Sequence, residues 1–494
     1  MFLVLFLVIF FRYVRINYNI LWTLNKLKTP ALVEELDTGL FTLNICIPCL
    51  REQSIIEKTI SELLSCFKIV NVRIYVVTTS KENSEKTENY HYLEELAWSI
   101  CKREKSFSIC EKYNHLFDRE ELIWICEKYQ SEEFKDVLAS IQAIYSDKKT
   151  TYETVVESIK INNWKNVILL EEKNDTSCMA SQVNYCWKTI NNESSEKSPN
   201  DYFMVYNADC KPSTDLEASL VKEIKANEYP DVLQLIRVYT LNYSQYSGII
   251  GHYLKGSALY QSRWSLGCEY PMLKRTSDNW KKQSFMFKLR SRYMIGHGMT
   301  FRMDFYGQMG KLNEKTNLED LYTGYLLSCL KIPIIPILAI ENTLNPSTIY
   351  SLFNQKMTWF SGMFDVFNYK NYYKKNHKEN YYRLRSYYFT ICFLIRDTFS
   401  WLFGPSILII CLLLSFTKLP YFLLLSTLIT ANACFCLLLQ YQLMERNLIN
   451  KKKYNWLFTA IGVVFYSFTR NLPALTFILK KIKIKNYKKY KTDR

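Results

Sequence analysis

YFMVYNADCKP, residues 202–212, is the stretch whose reading decides the fold. Tyr202 to Tyr206 are apolar or aromatic. Asn207, Asp209 and Lys211 then break the run, and Pro212 ends it. A short continuous apolar run bounded by polar punctuation reads as a strand buried on both faces. In open α/β sheets ligands bind outside the carboxyl ends of such strands, which is where Asp209 falls. A carboxylate there can hold a divalent ion that bridges a diphosphate, since Mg²⁺-type sites use one or two carboxylates plus substrate phosphates.

Working outward, FTLNICIPCL (41–50) is a second buried strand, ended by Pro48. Helical spacing follows over 52–67, then the strand VRIYVV (72–77). Strand, helix and strand make a crossover unit of a parallel sheet. NVILL (166–170) and VLQLIRV (232–238) add strands, with a helix expected over 175–190. Residues 293–340 hold a Gly-rich turn, an acidic helix start and a Pro-spaced apolar strand. The segment 81–165 is rich in Glu and Lys and reads as a helical insert, a solvated peripheral subdomain. The expected fold is α/β, with a mixed, mostly parallel sheet, plus membrane helices.

Both ends of the chain are hydrophobic. MFLVLFLVIFF (1–11) has no basic leader and no small-residue cleavage site, so it reads as an uncleaved anchor over 1–24. Arg12, Arg15, Lys26 and Lys28 follow it, which places residue 30 onward in the cytoplasm. Residues 399–416 and 419–441 are strong membrane spans, and 346–397 reads as interface helices. Residues 454–479, broken by Arg470 and Pro473, are expected to dip into the bilayer without crossing or to pair with the following segment as a hairpin. The expected order is an anchor (1–24), a catalytic domain (38–345), interface helices (346–397), a membrane region (398–479) and a basic cytoplasmic tail (480–494).

The net charge of +16 invites a nucleic-acid reading. Its densest block, the Lys-rich tail 480–494, directly follows an apolar segment. Such placement fits a tail on anionic lipid, at ~1 kcal/mol per basic residue. No nucleic-acid motif appears. The fifteen Cys have no framework of spacings, and the one CxxC, Cys46 to Cys49, lies on a strand without nearby His. Scattered free thiols suit a reducing compartment.

Four islands carry chemistry: Pro48 to Glu52, Asn207 to Pro212, Asn317 to Gly324, and Gln355 to Trp359. Glu319 and Asp320 open a helix, where the dipole favours carboxylates whatever their role. Either also has the chemistry to deprotonate an acceptor hydroxyl.

In order and spacing the islands resemble the inverting, membrane-bound family 2 glycosyltransferases, which include cellulose, chitin and hyaluronan synthases. The resemblance covers roughly 41–80 and 166–365. It implies a GT-A-like fold, a nucleotide-sugar donor of the UDP-sugar kind, an Mg²⁺ or Mn²⁺ ion and a polysaccharide or lipid-linked acceptor at the bilayer. Donor contacts fall by resemblance on Pro48, Glu52, Thr78, Asn184, Asn207 and Asp209, with Asp209 as metal ligand. Acceptor contacts fall on His297, Gly298, Arg302, Gln355 and Trp359, and the catalytic pair on Glu319 and Asp320. There are departures. Arg51 stands for the usual Asn, Asn207 for the first carboxylate of the metal motif, and Thr358 for the Arg of the last motif. No Asp follows the second strand, where Thr78 stands. The loss of the last-motif Arg puts processive synthesis in question. The rival expectation is an inactive membrane scaffold that keeps the fold.

Overall fold

The computed structural model describes residues 1–27, 41–113, 116–117, 119–174, 178–193, 198–281, 292–316, 318–376, 388, 391–392, 400–451 and 454–483. Asn317, most of the interface segment 377–399 and the tail beyond 483 lie outside the described residues. The chain forms two compact units. The larger contains Met1–Ile45, Ser61–Val72 and Glu193–Arg494, and the smaller Cys46–Ile60 and Arg73–Asn192.

The smaller unit carries the second half of β1 (Thr42–Pro48), most of β2 (Asn71–Thr79) and β3 (Val167–Glu172), in the order β3-β2-β1. β2 and β3 run parallel, Ile74 facing Val167 and Thr79 facing Glu172. At the carboxyl ends of the strands Gln182 Nε2 donates to the Cys49 and Val77 carbonyls, both at 2.8 Å. The insert is helical as expected. Its helices enclose a core of their own, with Leu93, Leu96, Tyr113, Leu122, Ile125 and Ile141 fully buried. The last of them, Thr151–Asn162, opens with a reciprocal capping box between Thr150 and Glu153.

The larger unit takes the first half of β1 and continues through β4 (Tyr202–Val205), β5 (Cys210–Lys211), β6 (Val232–Val238), β7 (Met299–Arg302) and β8 (Ile335–Thr343). Its strands follow the order β1-β4-β7-β6-β8-β5. β6 and β8 are parallel, whereas β7 lies antiparallel to both β4 and β6, and β5 antiparallel to β8. The sheet is therefore mixed, with β4, β6 and β8 sharing one direction. The strands β5 and β7 are too short to show a period in the sequence. Glu217 fixes the entry to β2 by accepting from the backbone N–H groups of Lys68, Ile69 and Val70 at 2.7–3.1 Å.

Among the described residues, three helical stretches are long and apolar enough to cross a membrane: Phe2–Lys26, Leu419–Glu445 and Trp456–Lys481. The shorter helix Ser400–Ser415 is also apolar. The third stretch breaks after Thr469 and resumes at Leu472. Trp401 Nε1 donates to the Arg470 carbonyl at 3.3 Å, and Asn471 Nδ2 donates to the Leu402 carbonyl at 3.0 Å. Side chains thus take up backbone groups that a bilayer would leave bare. Beyond the break, Ala474 and Phe477 pack on Met357 and Phe360 of the helix Ile349–Asn376.

One face of the second half of the Phe2–Lys26 helix packs on the protein, burying Ile16, Asn19, Ile20, Thr23 and Leu24, while Val14, Tyr18 and Leu21 stay exposed. Asn19 Nδ2 donates to the Gly267 carbonyl and Thr23 Oγ1 to the Leu266 carbonyl, each at 2.8 Å. Those carbonyls belong to one π-helical turn, Ser265–Glu269, between the helices Gly248–Trp264 and Tyr270–Lys281. A π turn shifts the hydrogen-bond ladder, and two polar residues of the N-terminal helix meet the carbonyls there.

Candidate active site

In the larger unit β4 delivers the turn Tyr206–Asp209 at its carboxyl end, as the apolar run predicts. Asn207 and Asp209 are both buried. The turn is pinned on β8. Leu344 N donates to the Asp209 carbonyl at 3.2 Å, and Glu341 accepts from Tyr206 Oη at 2.5 Å and from Ser213 N at 3.1 Å. Glu341 is fully buried, and burial pushes its carboxyl up to about 8.

The Gly296-His297-Gly298 turn connects this edge to the carboxylate pair. His297 is fully buried, and its Nδ1 accepts from Asn207 N at 3.2 Å. Its role here is to hold the metal-motif turn. Gly298 has a φ of +72°, and a Cβ there would lie 2.3 Å from Leu235 Cβ, so only glycine fits. On the other side of His297, a Cβ on Gly296 would lie 3.2 Å from Asp320 Oδ2. Three consecutive residues thus place the Asp320 carboxylate next to the loop that holds Asn207. Gln234, which the sequence reading passed over, fixes this loop by donating to the His297 carbonyl at 2.7 Å and accepting from Ile295 N at 3.0 Å.

Glu319 and Asp320 open the helix Glu319–Leu330. Glu319 is buried, with Thr323 Oγ1 donating to its carbonyl at 2.7 Å, and Asp320 is partly open. The helix lies directly on the chain before Gly296. A Cβ on Gly324 would stand 2.2 Å from Tyr293 Cα, and Ser328 Oγ accepts from Arg292 N at 3.0 Å.

Asp320 opens onto a cavity of about 170 Å³ that Tyr293, Trp359, Lys356 and Glu269 also line. Trp264 Nε1 donates to Tyr293 Oη at 2.9 Å, and Tyr293 Oη donates to Glu269 Oε1 at 3.0 Å. Burial pushes the Glu269 carboxyl up. Lys356 is 3% exposed, lies 3.7 Å from the Trp359 ring centroid and donates to Gln261 Oε1 at 2.9 Å. Burial first, then the Arg237 guanidinium, pushes its ammonium well below the usual range, with Glu269 acting in the opposite direction. In the last island Lys356 and Trp359 therefore face the cavity, while Met357 and Phe360 face the helix after the membrane break. Gln355 does not line the cavity, and among the described residues its Oε1 has no hydrogen-bond partner.

Arg302 lies elsewhere. It pairs across the sheet with Tyr202, at the opposite end of β7 from Gly298. There it forms ion pairs with Asp231 at 3.0 Å and Asp304 at 2.7 Å.

In the smaller unit, Pro48 ends β1 and Cys49 N donates to the Val77 carbonyl at 2.8 Å. Arg51 sits at a φ of 61°, a left-handed conformation that Asn tolerates better, and its side chain pairs with Glu85. Glu52 N donates to Thr151 Oγ1 at 2.9 Å, and Thr151 Oγ1 donates to Glu82 at 2.8 Å. The helical insert thus holds the Pro48–Glu52 loop. Thr78 is buried and spends its hydroxyl on the Leu170 carbonyl at 3.3 Å, and Asn184 is half-buried.

Among the described residues no group of three or more His, Cys, Asp or Glu gathers to hold a metal. One carboxylate at Asp209 and one amide oxygen at Asn207 fit an Mg²⁺- or Mn²⁺-type ion that completes its shell with water and diphosphate oxygens.

No family model and no curated protein matches the chain. A solved structure it resembles is the mannosyltransferase PcManGT from Pyrobaculum calidifontis in complex with GDP-Man and Mn²⁺. The alignment covers 96% of this chain and 98% of that one, at 9% identity and a TM-score of 0.40. A likeness at that level carries no argument for function, which rests on the site itself.

Proposed function

We propose that the chain is a membrane-embedded, inverting glycosyltransferase. It moves a sugar from a nucleotide-sugar donor of the UDP-sugar kind to a lipid-linked or polysaccharide acceptor. The observation that carries this reading is the 296–298 turn, which ties the Asn207–Asp209 turn on one side and backs the Asp320 carboxylate on the other.

Asp320 takes the proton from the acceptor hydroxyl. The oxygen attacks the anomeric carbon as the bond to the diphosphate breaks, and the configuration inverts. Asp209 and Asn207 would hold the divalent ion, which when bound neutralises charge on the departing diphosphate. Glu319 supports Asp320 at the helix start, and Trp359 offers a ring face to the acceptor. Pro48, Glu52 and Asn184 are the proposed nucleotide contacts, whereas the buried Thr78 spends its hydroxyl on the Leu170 carbonyl. A cytoplasmic placement of this chemistry agrees with fifteen free cysteines.

The test is nucleotide release by the detergent-purified protein across a panel of nucleotide sugars, with and without Mn²⁺, beside Asp320→Asn. Metal-dependent release with one donor is expected, falling by ~10² or more in the variant, the scale of a lost general base. Full activity in Asp320→Asn would remove the assigned base. Silence across the panel despite nucleotide binding would favour the inactive scaffold, or an enzyme that needs its lipid acceptor present.

A further inference from the structure

The cavity below Asp320 continues to the membrane helices, where Arg12, Arg470 and Trp401 line it. Arg12 belongs to the N-terminal apolar helix, and Arg470 lies at the break in the last apolar stretch. A Cβ on Gly404 would lie 2.7 Å from Arg470 Nη2 and 3.7 Å from Arg12 Nη1. Two guanidinium groups from sequence-distant helices therefore meet beside one glycine of the helix Ser400–Ser415. Arg470 also stacks over Tyr260, its Cζ 4.9 Å from the ring centroid.

This is a costly arrangement. An arginine in an apolar span costs ~2.5–3.5 kcal/mol on insertion scales, and such residues face interiors or cavities and mark substrate paths. Like charges brought together add repulsion. Among the described residues no carboxylate lies within ion-pairing distance of Arg12, Arg470, Arg237 or Lys356. Among the described residues the cavity is lined by three guanidiniums, the Lys356 amine and two carboxyls. Of the carboxyls, Asp320 is the proposed base and Glu269 is engaged by Tyr293. The walls are otherwise largely aromatic, with Trp264, Tyr239 and Tyr466 beside those already named. At about 170 Å³ the chamber is smaller than the ~300–1,000 Å³ of drug-sized pockets, the size for a single headgroup.

We propose that Arg12 and Arg470 form an anion subsite that selects, as acceptor, a membrane lipid with a phosphate close to the hydroxyl that receives the sugar. The phosphate sits between the two guanidiniums, which suit bidentate phosphate recognition. The headgroup lies against the tryptophan and tyrosine walls with its hydroxyl towards Asp320. This rests on the glycosyltransferase reading and narrows its acceptor to a phospholipid rather than a neutral lipid or a growing polymer.

The test measures lipid binding by the full-length protein in uncharged detergent, with no nucleotide sugar present. The probes are dioctanoyl phosphatidylglycerol, dioctanoylglycerol and inorganic phosphate, and the readout is Kd by calorimetry. The phospholipid is expected to bind at least ~10-fold more tightly than either other probe, about the ~1.4 kcal/mol of one lost charged contact. Arg12→Gln and Arg470→Gln should each lose that margin. Arg12→Lys and Arg470→Lys should keep part of it, and they replace the Gln variants as the readout if those fail to fold. Equal Kd values for phospholipid and dioctanoylglycerol, or unchanged affinity in all the arginine variants, would overturn the proposal. Inorganic phosphate binding as tightly as the phospholipid would reassign the pair to a free or donor phosphate and overturn the lipid acceptor. A donor panel that stays silent with the phospholipid added, together with intact phospholipid selectivity, would sink the transferase reading and leave a phospholipid-binding subsite standing.

Discussion

Glu341 is a carboxyl with no exposure to solvent, held by Tyr206 and Ser213 beneath the metal-motif turn. Burial raises it to about 8, against ~4.3 in an unfolded chain. The folded state therefore binds the proton more tightly. Its contribution to stability is complete below ~4.3, declines as pH rises between ~4.3 and about 8, and is gone above that. The slope is at most ~1.4 kcal/mol per pH unit. Glu341→Gln keeps a neutral side chain of the same shape. Melting temperatures of the purified protein between pH 5 and 8 should fall with pH in the natural protein and lose most of that slope in the variant. An identical slope in both would mean that Glu341 is already ionised in the fold. The places of Asp209 and Asp320 in the fold were legible from sequence, because Asp209 follows an apolar run where a strand ends and Asp320 precedes one where a helix begins. Glu341 was not, since it sits inside the apolar strand IPILAIENT and meets Tyr206, 135 residues away, only in the fold. Lys356 was equally hidden, because nothing local shows that a lysine is 3% exposed.

At the scale of elements, the helix Glu319–Leu330 holds Asp320 beside Gly296 only because Gly324 lets it touch the backbone of Tyr293 and Met294. A methyl group would stand 2.2 Å from Tyr293 Cα and 2.7 Å from Met294 N. Both are backbone atoms and cannot swing aside, so the helix must shift and carry Asp320 away from Gly296. Gly324→Ala should lower kcat by about 10²-fold, the effect of a displacement near 1 Å at a reacting group. Donor binding, measured separately by calorimetry, should change little. A variant with normal turnover would show that the helix can yield without moving the carboxylate. The parallel strands and this helix were legible because their apolar runs are long. The antiparallel β7 was not: it has four residues, and its place between β4 and β6 depends on pairing with strands far along the chain. The π turn at Ser265–Glu269 leaves no signature either, since one widened turn hardly alters a helical period.

At the scale of the larger unit, the N-terminal helix has two jobs. Its first half exposes Leu3, Val4, Leu7, Val8 and Phe11, as a lipid-facing surface does. Its second half buries Ile16, Ile20 and Leu24 against the protein. The helix is long and apolar enough to cross a membrane, and polar Asn19 and Thr23 lie on the face of it that packs on the protein. Their carbonyl partners, Leu266 and Gly267, lie in the π turn, and Trp264 and Glu269 at its two ends line the cavity under Asp320. Asn19 is further engaged by Arg275 Nη2 at 2.5 Å. Removing these side chains takes one hydrogen bond from each of two carbonyls and one from the Arg275 guanidinium, at ~0.5–1.5 kcal/mol for each bond lost. The double variant Asn19→Ala/Thr23→Ala should therefore melt several degrees lower in detergent. It should also turn over more slowly, because the π turn that presents Glu269 and Trp264 to the acceptor loses its support. The membrane anchor would then be part of the catalytic frame. A double variant that melts lower but turns over normally would reduce the helix to an anchor alone.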